Sequence, residues 1–270
     1  MPPTSVAAVG DNCIDRYLAL RKSTVGGNAV NVAVHLARLG LDAAYFGAVG
    51  DDASGRRVLV ALGDNRVASD HVQVRHGLTA YTDIAFGEGG ERIIAFEEFG
   101  VCAGYGPDPA EIEALRRIRH VHIGWLNDGG VLKEALAASG TSVSQDLSVT
   151  SPLLGRRSAG LAVAFASAGP SIAEGEALAA RLLADGACVA VVTCGAAGSV
   201  AADGKTVTRT DAIPVDVVDT LGAGDTFIAG FIAAHVDGQN LQACLRSGRD
   251  LASATCGHLG GFPQAHGLLT

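Results

Sequence analysis

Aromatic residues are scarce, at 5% of 270 positions with a single Trp, so a core built on stacked rings is excluded. The apolar share is still 48%, carried mainly by Ala, Val and Leu, which suits helices packed closely on a sheet rather than a β-sandwich. No run of basic residues occurs and the formal charge is −8, which argues against nucleic acid or an anionic membrane as a partner. The six cysteines are dispersed and form no C-x-x-C pair, so a zinc ribbon or redox motif is absent and reduced, buried thiols are expected. The longest uncharged stretches, Ser158–Ala173 and Ala187–Ala202, are broken by Gly and small polar residues. Neither supplies the ~20 apolar residues of a bilayer span. Met1-Pro-Pro-Thr-Ser5 lacks the charged start and apolar core of a signal peptide. A soluble cytoplasmic protein is expected.

Two nucleotide motifs are also missing. No G-x-G-x-x-G follows the first apolar run, which weakens a nicotinamide dehydrogenase reading. Gly204-Lys205-Thr206 resembles the end of a P-loop, but Ser199 stands where the first glycine is required. The eight histidines show no metal-ligand spacing.

What remains is a strand–helix rhythm. Apolar runs predict strands at 5–9, 43–49, 120–124, 142–146, 161–166 and 188–193. Helices are predicted at 28–39, 54–62, 109–119 (Asp108 as cap, Pro109 in the first turn), 130–138, 172–184, 226–236 and 241–257. Repeated βαβ units imply one α/β domain over residues 1–270, with a mostly parallel sheet covered on both faces. Two hairpins break the rhythm, at 199–209 and at 78–99. The second is either a small β lid or an edge of the main sheet.

Ligands of open parallel sheets lie beyond the carboxyl ends of the strands. Those ends read Gly10-Asp11-Asn12, Gly50-Asp51-Asp52, Trp125-Leu126-Asn127, Asp146, Ser167 and Thr193-Cys194-Gly195, all polar or small at their tips. Asp11, with Asn12 and Asn31, suits sugar hydroxyls. The segment Asp219-Thr-Leu-Gly-Ala-Gly-Asp225 precedes an apolar helix. Its glycines leave helix N–H groups open to an anion, and Asp225 lies beside them as a possible proton acceptor. The plainer reading is a capped turn, with Asp219 or Asp225 satisfying the N–H groups.

Gly26-Gly27-Asn28-Ala29-Val30-Asn31, Val192-Thr193-Cys194-Gly195 with Gly198, and Asp219–Asp225 occur in order at suitable separations. Together they resemble the ribokinase-like (PfkB) carbohydrate kinases over essentially the whole chain. The resemblance implies a three-layer α/β/α fold with a small β lid centred on 78–99, and an ATP- and Mg²⁺-dependent transfer of phosphate to a primary hydroxyl. It implies Asp225 as general base, with Gly222, Ala223 and Gly224 as the anion hole. Asp11, Gly27, Asn28 and Asn31 then take the sugar, and Thr193, Gly195, Gly198, Asp219 and Thr220 the nucleotide. A homodimer through the lid is implied as well.

Within the family, Val9–Asp15, Gly26–Val34 and Phe165–Ala168 look most like fructoselysine 6-kinases, which points to a small sugar or fructosamine as acceptor. A fructokinase or ribokinase is the alternative, and a non-catalytic sugar or nucleotide sensor is the rival of another class. One departure is the absent N-x-x-E after the central strand; Glu174 or Glu176 is the substitute for holding Mg²⁺. A carboxylate at a helix N-terminus is expected to stay ionised, so Asp225 needs no raised pKa.

Overall fold

The computed structural model describes residues 5–86, 92–149 and 157–269. The turn 87–91 expected in the 78–99 hairpin lies outside them.

Strands come first. They are β1 (Ser5–Val9), β2 (Cys13–Tyr17), β3 (Lys22–Gly26), β4 (Asp42–Gly50), β5 (Val72–Arg75), β6 (Tyr81–Phe86), β7 (Arg92–Glu98), β8 (His120–Ile123), β9 (Ser142–Asp146), β10 (Val163–Ser167), β11 (Val189–Thr193), β12 (Ser199–Ala202), β13 (Val207–Thr210) and β14 (Gly267–Leu268). The helices are α1 (Asn28–Arg38), α2 (Ala53–Asp64), α3 (Pro109–Leu115), α4 (Val131–Ala138), α5 (Ile172–Ala184), α6 (Ala223–Val236) and α7 (Leu241–Thr255).

Nine strands form the main sheet in the order β13-β12-β11-β10-β9-β8-β1-β4-β5. It is parallel from β11 to β5, and only β12 runs against the other strands, paired antiparallel to β11 on one side and β13 on the other. Alternation along β1 shows how the layers form. Val6 and Ala8 enter the apolar cluster under α1, α2, α6 and α7, whereas Ala7 and Val9 enter the one under α3, α4 and α5. This is the α/β/α sandwich expected from the sequence.

The 78–99 hairpin does not edge that sheet. β6 and β7 join a second sheet, in the order β14-β3-β2-β6-β7. Its strands come from three distant parts of the chain, so it is not a single insertion. β2, β3, β5 and β14 were not anticipated. Each has no more than five residues; β2 and β3 pair with each other as a short hairpin, while the partners of β5 and β14 lie further off in the sequence.

Helix α3 begins as expected, with a reciprocal cap between Asp108 and Glu111. It ends at Leu115 rather than Arg119, where Arg117 and Ile118 switch to bonds three residues back. Helix α6 starts three residues earlier than predicted, at Ala223 after Gly222 as N-cap, which brings Asp225 into its first turn.

Beneath α6 the sheet carries buried imidazoles. His120 bonds Ser142 and Ser144 through its two ring nitrogens, and His122 Nδ1 lies 3.0 Å from Ser144 Oγ. His122 Nε2 is buried without a partner. Burial pushes both imidazoles down to about 3. The unfolded chain therefore takes up protons near pH 6.5 that the fold refuses, and stability falls as pH drops from about 6.5 towards 3. His122→Leu should flatten that acid limb, measured by urea unfolding at stepped pH, with little loss at pH 8.

Candidate active site

Two helix N-termini face each other beyond the carboxyl ends of the parallel strands. The first belongs to α1. Gly27 caps it at φ 102°, and a Cβ there would stand 2.5 Å from Asn12 Cα, so only glycine lets these segments touch. Asp11 accepts N–H bonds from Asn28 (2.9 Å) and Ala29 (3.1 Å). Both of its oxygens are thus engaged by the helix, and an acceptor hydroxyl would meet only their remaining lone pairs. Asn12 turns inward instead, donating to the Ala48 carbonyl (2.6 Å) and the Tyr45 hydroxyl (3.0 Å), so it does not join Asp11 at the rim.

The second N-terminus is that of α6. Gly222 holds φ 77°, and a Cβ on it would lie 2.4 Å from Gly261 Cα. The N–H groups of Gly224 and Asp225 find no acceptor among the described residues, and the space beside Gly224 is open. Open donors at the positive end of a 14-residue helix make an anion site. Thr226 Oγ1 bonds back to the Gly222 carbonyl (2.8 Å). His35 Nε2 bridges Thr226 Oγ1 and the Gly261 carbonyl, which fixes the turn from below.

Asp225 ties the two helices together. Its Oδ1 accepts from Asn28 Nδ2 and its Oδ2 from Asn31 Nδ2, both at 2.7 Å. Asn28 Nδ2 also donates to Asp146 Oδ2 at 2.9 Å. The expectation of an unperturbed Asp225 fails. Burial, which outweighs the bond from Asn31, raises its pKa to about 7 with help from the Asp146 and Asp11 charges.

Beside this cluster lies a cavity of about 730 Å³. Asp225, Gly224, Ala223 and Thr220 form one wall, and Thr193, Gly195 and Gly198 another. Ile213, Pro214, Val215 and Val217 form an apolar cover facing Ala252 and Cys256 of α7. Mostly apolar walls with polar groups at one end suit a nucleotide whose base enters first.

Not every expected residue meets there. Asp219 is absent from the cavity wall. It is fully buried and accepts from Tyr17 Oη (2.6 Å), Leu221 N (2.6 Å) and Gly260 N (2.9 Å). It is a brace for the turn, neither an N-cap nor a group facing a ligand. Glu174 is exposed in the first turn of α5, and Glu176 pairs with Arg209; neither lines the cavity. Asp128 caps α4 through Gly130 N and Leu132 N.

Two carboxylates went unassigned in the sequence. Asp146 was noted only as a strand end, yet it sits against Asn28 and lines the cavity. Asp15 follows the sugar-side loop on the unanticipated β2. It is 3% exposed, and among the described residues its carboxylate has one hydrogen-bond donor, the Cys13 thiol, which reaches Oδ1 at 3.1 Å. Its Oδ2 lies over Gly26, 2.0 Å from where a Cβ would be. Burial and the charges of Asp219, Asp11 and Glu97 raise Asp15 to about 7. Cys13–Tyr17 shows no polar–apolar alternation, so the sequence carries no strand signal there.

Such a site, on a parallel α/β sheet with an anion-binding helix terminus and a poised carboxylate, is that of an α/β phosphotransferase. The family model described as pfkB family carbohydrate kinase matches residues 6–138 and 159–264, and the chain belongs to that family. It is 34% identical to fructoselysine 6-kinase of Escherichia coli K12, over 96% of this chain and 99% of the relative. It is 31% identical to the fructosamine kinase FrlD of Bacillus subtilis, over 94% and 92% of the two chains. The fold is that of Arabidopsis thaliana ribokinase complexed with ribose and ATP (TM-score 0.81, 23% identity, covering 96% and 94%). The protein is therefore an ATP-dependent sugar kinase, a phosphotransferase with an alcohol acceptor. No helix among the described residues is long and apolar enough to cross a membrane.

The raised Asp225 has a definite sign. Its ionised form is disfavoured by folding, so its contribution to stability is lost as pH rises from about 3.8 to about 7. Carboxyl ¹³C NMR of the ligand-free protein should show two aspartates, Asp15 and Asp225, titrating near pH 7, and Asp225→Asn should remove one of them. A midpoint near 4 would contradict the burial described.

Proposed function

We propose that this kinase phosphorylates a primary hydroxyl of an amine-bearing ketose, a fructosamine of the fructoselysine type. The observation that carries this reading is the charge on the acceptor side. Asp11, Asp15, Asp146 and Asp225 gather around the two helix termini, and the charged neighbours acting most strongly on Asp15 and Asp225 are themselves carboxylates. Arg16, the nearest cation along β2, is engaged elsewhere by Asp83 and the Tyr81 ring. A buried carboxylate short of partners is stabilised by a cation, and a protonated amine on the acceptor supplies one. The names of two relatives, fructoselysine 6-kinase and fructosamine kinase, agree with that chemistry.

In this reading Asp11, Gly27, Asn28 and Asn31 surround the sugar and Asp15 faces its amine. The nucleotide enters the cavity by Thr193, Gly195, Gly198 and Thr220. Asp225 takes the proton of the attacking hydroxyl, whose oxygen bonds to the γ-phosphorus as the bond to the β–γ bridging oxygen breaks and ADP leaves. Gly222, Ala223 and Gly224 place their turn so that open N–H groups meet the transferring phosphoryl, where charge stabilisation matters more than covalent chemistry.

Mg²⁺ fits the donor set in a limited way. The described residues hold no group of three or more His, Cys, Asp or Glu side chains that could hold a metal. Asp146 lines the cavity beside Asp225, with Asp211 also on its wall, and so sparse a carboxylate set suits a cation carried in on nucleotide phosphates and kept partly hydrated. Bound there, Mg²⁺ would neutralise phosphate charge. Glu174 and Glu176 lie outside that arrangement. The second sheet serves as the lid, and the exposed Ile93, Ile94 and Phe96 of β7 form its contact with a second copy in a homodimer.

Two variants test the assignment. Asp225→Asn should lower kcat by ~10²- to 10⁴-fold with nucleotide and acceptor binding nearly intact, the range for a lost general base. Near-normal turnover would remove Asp225 from that role. In a coupled assay the wild type should prefer fructoselysine and other fructosamines over fructose, ribose and adenosine. Asp15→Asn should raise KM for the amine-bearing substrates by ~10-fold or more while leaving KM for fructose nearly unchanged. A wild-type preference for fructose or ribose would overturn the fructosamine reading. ATP binding without turnover on any acceptor would indicate a sensor.

A further inference from the structure

The second sheet reaches the phosphate-binding turn directly through the Tyr17 side chain. Tyr17, the last residue of β2, is fully buried, and its hydroxyl donates to Asp219 Oδ2 at 2.6 Å across 202 positions of sequence. The same oxygen accepts from Gly260 N, and Oδ1 accepts from Leu221 N. Leu221 immediately precedes Gly222, the left-handed cap of α6, and Gly261 packs against that cap. One carboxylate thus joins β2, the turn that aims the open N–H groups, and the loop pressed on that turn. The opposite end of β2 starts two residues after Asp11, with Asp15 between.

We infer that Tyr17 is a positioning residue for phosphoryl transfer: through Asp219 it holds the Leu221–Gly224 turn in register, and it couples the seating of the second sheet over the acceptor to assembly of the anion site. A fully buried carboxylate needs its lone pairs satisfied, and a short bond from a phenol is among the stronger ways to do so. Without that hydroxyl, Oδ2 keeps Gly260 N and loses its tie to β2. The turn then follows the sheet less closely, by way of the loop whose Gly260 packs on Thr24 and whose Gln264 bonds the Val25 backbone, and a shift of about 1 Å at a transfer site is costly in rate. This coupling rests on the kinase reading but not on the identity of the sugar.

Tyr17→Phe tests it, since the ring that fills the core is kept and only the oxygen is removed. The expected result is a kcat lowered by ~10- to 100-fold with KM for acceptor and nucleotide within about threefold. A second readout is binding of ADP with aluminium fluoride, a mimic of the transferring phosphoryl group. In the wild type, saturating acceptor should tighten that mimic; in Tyr17→Phe the tightening should vanish while ADP alone binds as before. Asp219→Asn, if it folds, should behave similarly. Wild-type kcat in Tyr17→Phe, or equal losses in ADP, acceptor and mimic binding, would reduce Tyr17 to a core-packing residue. If the wild type phosphorylates an unexpected sugar and Tyr17→Phe still loses the tightening, the acceptor assignment falls and the coupling stands.

Discussion

Two amide side chains on one helix hold the site together. Asn28 and Asn31 of α1 donate to the two oxygens of Asp225 on α6, and Asn28 reaches Asp146 as well. Carboxylates demand donors, so the amide nitrogens must face them, and the carbonyl oxygens of both asparagines are left buried without partners. Neutral donors satisfy hydrogen bonds without cancelling charge. Three consequences follow: the carboxylates keep a negative field on the acceptor side, Asp225 is held near neutrality, and α1 and α6 keep one relative setting.

That arrangement divides labour between the two helix termini. The α1 end is already occupied by Asp11, a carboxylate of the protein itself. The α6 end is left open, with Asp219 bracing it from behind. An anion entering the cavity therefore finds one vacant set of N–H groups and a field that repels it elsewhere. Placement of phosphate comes from this contrast as much as from attraction.

Much of this was legible in the chain. The glycines at 26–27 and 222–224 announce backbone approach, and the polar tips of the strands announce a common rim. Asn31 was read on one helix and Asp225 in the turn ahead of another, both at the common rim, and their side chains do meet. What failed were inferences from one local rule. The α6 terminus argued for an ordinary Asp225 pKa, but helix-end stabilisation is small beside desolvation among other carboxylates. Asp219 reads as a ligand contact because it opens the motif; only the distant Tyr17 and Gly260 show it to be internal. Glu174 and Glu176 have the right charge near the right strand, but α5 carries them away from the cavity. Asp15 was invisible because β2 is too short to announce itself and its parallel partner β6 lies far off in the sequence.

The composition of the second sheet has a bearing on how the protein is made. β2 and β3 arise near residue 20, β6 and β7 some sixty residues later, and β14 only at 267–268, where it pairs with β3. The Asp219 brace likewise waits for Gly260. During synthesis, early helices and parallel strands can pack as they emerge, whereas the second sheet gains its edge partner for β3 only with residues 267–268. The acceptor side of the site therefore depends on contacts between segments more than two hundred residues apart, which gives it a higher contact order than the parallel strands and helices beside it.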